Sequence, residues 1–109
     1  MGADNDFLPG TLDMLILKVL ARGSMHGYGI AQHIQRVSEG VFDVGEGSLY
    51  PALQRLLVNG WVTAEWGVSD NNRRARYYKL TAAGRKQLNK EAARFDRLVG
   101  VIRRVMEEA

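Results

Sequence analysis

The side chains in this sequence best placed to do chemistry are cations and hydrogen-bonding groups, not nucleophiles. Arg73, Arg74 and Arg76 stand close together just before Tyr77 and Tyr78. Guanidinium groups pair bidentately with phosphate and follow a narrow, electronegative groove. Upstream of them runs Gly47-Ser-Leu-Tyr-Pro-Ala-Leu-Gln-Arg-Leu-Leu-Val-Asn-Gly-Trp-Val62, which read as a helix sets Ser48, Gln54 and Arg55 opposite Leu49, Leu53, Leu56 and Leu57. Those polar side chains suit base edges and phosphate oxygens. Catalytic chemistry has no comparable support. The sequence holds no cysteine, no nucleophile beside a base, no carboxylate pair and no phosphate-cradling loop. His26 and His33 lie seven residues apart without a carboxylate at ligand spacing, so they are expected as capping or surface residues, and no metal or cofactor is expected.

Positioning these groups requires a small set of elements. Pro51 places the start of its helix near Gly47, in the first turn where a missing N–H costs nothing, and Asn59-Gly60 ends it. A preceding helix is predicted over Gly27–Ser38, burying Ile30, Ile34 and Val37, with Tyr28 at its exposed start. Phe42 and Val44 alternate with polar residues in the connection between these helices. Trp61–Val68 and Ala75–Leu80 read as strands around a loop at 69–74. Helix, helix and hairpin in that order predict a winged helix-turn-helix, mainly α with a small β-hairpin.

The flanks are helical as well. An arm ending in Phe7-Leu8-Pro9 precedes a helix that Thr11 is expected to cap, and Leu12, Met14, Leu15, Ile16, Leu17, Val19 and Leu20 make that helix apolar nearly all round. Thr81 should cap a last helix roughly 40 Å long at 1.5 Å per residue. Leu88, Ala92, Phe95, Val99, Ile102 and Met106 recur on it at spacings of 4, 3, 4, 3 and 4. That is a heptad seam, and it predicts pairing with a second copy. The expected division is residues 1–80 for binding and 81–109 for dimerisation.

The whole-chain numbers agree with an anionic partner. The 109 residues carry a net charge of +3, but residues 73–104 hold eight arginines and three lysines against Glu91 and Asp96, a net of +9, whereas residues 1–72 are at −4. A basic block of this kind fits a polyanion. The apolar run from Leu12 to Ala21 is short and broken by Asp13 and Lys18, so no membrane span is expected, and the lack of cysteine suits the cytoplasm.

With these residues in place, the chain resembles the PadR family of bacterial transcriptional regulators, in its short form with a single C-terminal helix. The likeness lies in Met25-His-Gly-Tyr-Gly-Ile30, Gly47-Ser-Leu-Tyr-Pro-Ala-Leu-Gln-Arg-Leu56, Gly60-Trp-Val62 and Arg76-Tyr-Tyr-Lys-Leu-Thr-Ala-Ala-Gly84. The resemblance implies a homodimeric repressor on a pseudo-palindromic double-stranded operator, relieved by a small aromatic or drug-like ligand. It places Tyr28, Ser48 and Tyr50 toward DNA and Arg73, Arg74 and Arg76 on the wing; Gln54 and Arg55 are the expected base readers. Drug-binding relatives stack flat ligands on a tryptophan of the last helix. Here that aromatic is Phe95, with Val99 and Leu15 as its expected neighbours in a ligand site. The alternative from another class is a winged-helix module that binds protein and not DNA.

Overall fold

The apolar first helix becomes the middle of the fold. The computed structural model describes residues 10–108; the expected arm at Phe7-Leu8-Pro9 lies outside them. Helix α1 (Thr11–Leu20) buries Leu12, Ile16, Leu17, Val19 and Leu20. Around it are α2 (Gly27–Val37), α3 (Glu46–Val58), the strands β1 (Met25–His26), β2 (Val62–Val68) and β3 (Arg74–Leu80), and α4 (Ala82–Glu107). Helix α1 packs against α2, α3, α4 and β3, which is why a one-sided stripe would not serve it. Phe42 and Val44 pack against the same core from the irregular connection. Among the described residues, no helix is long and apolar enough to cross a membrane.

Several boundaries differ from expectation. Thr11 is the first helical residue and not the cap; Gly10 holds that position with a left-handed φ of 86° and no side-chain cap. Helix α3 begins at Glu46, so Pro51 is one turn deeper than its chemistry favours, and the helix gives up the hydrogen bond an N–H there would make. Four buried residues, Leu49, Ala52, Leu53 and Leu56, hold that turn against the core. At its end Gly60 takes a φ of 75°, and the bonds Trp61 N–H to Leu56 O (3.0 Å) and Gly60 N–H to Leu57 O (3.0 Å) form a Schellman closure.

The sheet has three strands, not two, in the antiparallel order β1-β3-β2. The connection after α1 supplies β1, pairing Met25 with Tyr78 and His26 with Tyr77. In the hairpin, Val62 pairs with Leu80, Ala64 with Tyr78, Trp66 with Arg76 and Val68 with Arg74. These pairs share one face of the hairpin, since side chains directly opposite each other point the same way. Near the strand bases that face is core, with Val62 and Tyr78 buried; toward the tip it leaves the body.

Helix α4 starts inside the fold and leaves it. Thr81 caps it as expected, its Oγ1 accepting from Gly84 N–H at 3.0 Å and donating to Gly60 O at 2.8 Å. Leu88, expected on the dimer seam, is buried against the chain's own core, only 7% exposed. The first member of the heptad pattern is thus consumed inside the chain's own core. Beyond it Phe95, Leu98, Val101, Ile102, Val105 and Met106 remain substantially exposed. Phe95 and Leu98 border a crevice of about 70 Å³ against Gly10, Thr11 and Met14 of the α1 start. Leu15, expected beside Phe95 in a ligand site, is partly buried and packs against the core.

Candidate nucleic-acid interface

Three local structures meet at the exposed side of α2 and α3. The first is the start of α2. His26 precedes it in extended conformation, and its Nδ1 accepts from Gly29 N–H at 2.9 Å, satisfying one of the free donors at the helix end. His26 also meets Tyr77 edge to face, with ring centroids 5.3 Å apart. The histidine therefore caps. Tyr28 follows it into solvent at 66% exposure, its Oη accepting from Gln32 Nε2 at 3.0 Å.

The second is the start of α3. A Cβ on Gly27 would stand 3.0 Å from Tyr50 Oη, so glycine lets the two helix starts close on each other through that phenol. Partial burial, with Glu46 and Tyr78 adding to it, raises the Tyr50 phenol above its ordinary value. It stays protonated and can donate to an anion. Along the outer face of α3, Gly47, Pro51, Gln54 and Val58 are exposed, and Ser48 is half-buried at the edge. Only Gln54 of that central line can read a base edge by hydrogen bonding.

Arg55 is placed differently from expectation. Its Nε and Nη2 donate to both carboxylate oxygens of Asp13 at 3.1 and 2.8 Å, a bidentate bridge between α3 and α1. Hydrogen bonding to Asp13 is the main cause of its raised pKa. The guanidinium expected to read bases is thus occupied in bracing the helix. Because the two side chains are 55% and 20% exposed, the bridge should be worth only about 0.5–1 kcal/mol after solvent screening. A double-mutant cycle of Arg55→Ala and Asp13→Ala, read by urea unfolding, should return a coupling of that size; zero coupling would mean that the bridge is not formed in solution.

The third is the wing. Arg73 lies in the loop, whereas Arg74 and Arg76 are β3 residues on the inner face of the hairpin. The loop is tied by Ser69 N–H to Arg73 O (2.8 Å), Asn72 N–H to Ser69 O (2.9 Å) and Ser69 Oγ to Asn71 Oδ1 (2.7 Å). On the inner face, the Arg74 guanidinium lies 4.8 Å from the centroid of the Trp66 ring and that of Arg76 lies 5.9 Å from Tyr78. Both guanidiniums lie within cation–π range of these rings.

Together these parts enclose an open groove of about 960 Å³ between the wing and the starts of α2 and α3. It brings together Tyr28, Tyr50, Arg73, Arg74 and Arg76. Ser48, Gln54 and Arg55 do not line it; Gln54 lies further along the exposed face of α3 and Arg55 points to α1. The groove also includes Trp66, Gln32 and Tyr78, which the sequence reading did not select. Strand alternation was the available signal for Trp66, since it shares its face with the wing arginines. Away from the groove, Arg36 Nη2 is 3.0 Å from His33 Nδ1 and Arg22 Nη1 is 3.5 Å from Nε2. Partial desolvation and those two guanidiniums hold the His33 imidazole below its ordinary value, so at neutral pH it adds no charge to this surface.

Known proteins share both sequence and shape with this one. The sequence matches the transcriptional regulator PadR-like family over residues 16–90. It is 34% identical over 86 residues to an uncharacterized protein of Lysinibacillus sphaericus, covering 78% of each chain. It is 31% identical over 93 residues to the transcriptional regulator Rv3488 of Mycobacterium tuberculosis, covering 85% of this chain and 83% of that one. A transcriptional regulator from Clostridium thermocellum superposes with a TM-score of 0.80 at 28% identity, over 87% of this chain and 92% of that one.

Proposed function

This chain belongs to the transcriptional regulator PadR-like family, and from that premise we infer that it is a homodimeric, sequence-specific repressor whose DNA binding is relieved by a small aromatic ligand. Members of this family are regulators that bind DNA, not enzymes. The observation that carries the finer reading is the convergence of the Tyr50 end of α3 and the three wing guanidiniums on one groove. In that reading Tyr28, Ser48 and Tyr50 position phosphates, Gln54 reads bases in the major groove, and Arg73, Arg74 and Arg76 hold the adjoining backbone. Arg55 is left out because Asp13 already occupies it.

The exposed apolar face of α4 supports the homodimeric part of the proposal. Its outer turns expose Val105 at 65% and Met106 at 77%, with Ile102 and Phe95 on the same side, an apolar face longer than monomers normally leave in water. Residues 1–80 would read DNA and the exposed part of 81–109 would pair copies, with Ala92, Phe95, Val99, Ile102 and Met106 as the seam. Half-sites would then lie about one helical turn apart, roughly 34 Å. A flat effector at that seam would stack on Phe95, and one that altered the angle between the helices would change the half-site spacing. Ile102→Asp combined with Val105→Asp should raise the dimer dissociation constant at least about 100-fold, because each buried carboxylate would be unpaired. Sedimentation at micromolar protein checks this, and a dimer that survives both changes would remove α4 from the interface.

The direct test is fluorescence anisotropy of a labelled duplex taken from just upstream of the protein's own gene, against a scrambled duplex, at several salt concentrations. A preference of about 4 kcal/mol or more with a steep negative salt slope is expected. Equal, weak binding to this duplex, to the scrambled one and to every duplex recovered by selection from genomic DNA would overturn the reading.

A further inference from the structure

Outside the wing groove, the structure gathers two cations and an imidazole around one point. Arg22 sits in the turn after α1, its backbone tied to that helix by Arg22 N–H to Val19 O and Gly23 N–H to Leu20 O, both at 3.2 Å. Arg36 belongs to the last turn of α2, whose Ile30 and Ile34 face the core and turn His33 and Arg36 outward. His33 stands between the two, with Arg36 Nη2 at 3.0 Å from Nδ1 and Arg22 Nη1 at 3.5 Å from Nε2. A neutral imidazole has one nitrogen that accepts and one that donates, whereas guanidinium nitrogens only donate. In either tautomer, therefore, one arginine is accepted by the ring and the other faces an N–H. Protonating the ring would leave both arginines facing donors. Among the described residues, none of the three side chains has a carboxylate within ion-pair distance; Glu39 shares an open crevice with Arg36 and does not reach it. The cluster is rich in donors and short of an acceptor.

We propose that Arg22, His33 and Arg36 form a binding site for a phosphate monoester, whose oxygens accept from the imidazole N–H and from the two guanidinium forks. A monoester presents three strong acceptor oxygens and a charge of about −1.5 to −2 near neutral pH, which matches two guanidiniums. A carboxylate brings two oxygens and one charge, and leaves one of the cations unmatched. Both arginines are exposed, so each is free to turn from the ring to the ligand. None of the three residues lines the wing groove, and the site stands whether or not that groove holds DNA. Phosphate oxygens also occur in the DNA backbone, but there as diesters with a single charge and two free oxygens.

The probes are methyl phosphate, a monoester, and dimethyl phosphate, a diester, each titrated into the intact protein without DNA at constant ionic strength and slightly alkaline pH. NMR follows the His33 Cε1–H and the Nε–H groups of Arg22 and Arg36, with His26, held as a cap by Gly29 N–H, as the internal reference. Saturable movement at His33 and both arginines is expected, with a dissociation constant of about 1 mM, a still His26 and the diester at least about tenfold weaker. Arg22→Gln with Arg36→Gln should weaken the monoester at least about tenfold, and Arg22→Lys alone about threefold, since lysine keeps the charge and loses the fork. The two side chains are exposed and contact His33, so these variants should keep the parent's circular dichroism. Shifts that never saturate or that sodium chloride reproduces, a diester that binds as tightly, or a double variant that binds like the parent would overturn the site. Movement of the His33 resonance by duplex DNA and not by methyl phosphate would overturn the monoester and make the cluster a backbone contact.

Discussion

Gly84→Ala should lower the unfolding free energy by about 3 kcal/mol and the thermal midpoint by roughly 12–24 °C. Helix propensity alone gives the opposite sign, since alanine inside a helix is favoured over glycine by about 1 kcal/mol. Tertiary contact decides the matter. A Cβ at Gly84 would collide with the carbonyl oxygen of Trp61 and come within 2.7 Å of Leu80 Cδ1. That carbonyl is backbone and already accepts from Thr81 N–H at 3.0 Å, beside the Val62 and Leu80 pair that opens the hairpin. To make room, α4 must move off the hairpin, and Leu88 behind it must leave the core. Gly100→Ala is the control, because nothing stands within 4 Å of a Cβ there. It should stabilise the chain by about 1 kcal/mol. Urea and thermal unfolding of both variants followed by circular dichroism measure the contrast; two alanines that stabilise equally would mean that α4 does not start against Trp61.

The contrast between these glycines marks the limit of what sequence pattern can carry. Helix periodicity exposed the Leu49, Leu53 and Leu56 stripe because 3.6-residue spacing is a local property, and Thr81 was legible as a cap for the same reason. The close approach of Gly84 to Trp61 is not local, and a helix-interior glycine by itself reports only lost propensity. Strand β1 is only two residues long, Met25–His26, too short to show alternation, and exists because β3 offers it an edge. Leu88 fits the heptad as well as Ile102 does; the register alone does not say where the domain body ends.

The site was legible in parts and not in its arrangement. Arginine clustering identified the wing, and the polar side of α3 identified the helix beside it. Arg55 fitted that polar side too, and its partner Asp13 is 42 residues away in sequence, beyond any local rule. Trp66 was passed over because an exposed strand aromatic has no meaning until the opposite wall is known. The groove arises from the Tyr50 contact at Gly27 and the reach of the hairpin past the core, both tertiary facts.

Neutralising the wing with Arg73→Gln, Arg74→Gln and Arg76→Gln together should reduce affinity for the operator at least about 1,000-fold near physiological salt. Each phosphate contact contributes about 0.9 to the slope of log affinity against log salt, so three per protomer amount to about 2.7, and a dimer on two half-sites to about 5. The size of the change therefore reports how many wings touch DNA. A change near 5 means two engaged protomers; a change near 2.7 means one, or two half-engaged. The fold should tolerate the substitutions. Arg74 gives up a contact with the exposed ring of Trp66 and Arg76 one with the buried ring of Tyr78, each worth about 0.5–1 kcal/mol because both guanidiniums are exposed, and among the described residues no carboxylate is left without its cation. Lys79→Gln provides the control for net charge, since Lys79 pairs with Thr63 on the outer face of the hairpin. It should leave the slope nearly unchanged, because screened charge beyond a Debye length of about 10 Å contributes little. Anisotropy titrations across a range of salt concentrations measure the slopes; a triple variant with the slope of the parent would place the phosphates elsewhere and leave the wing arginines with no part in holding DNA.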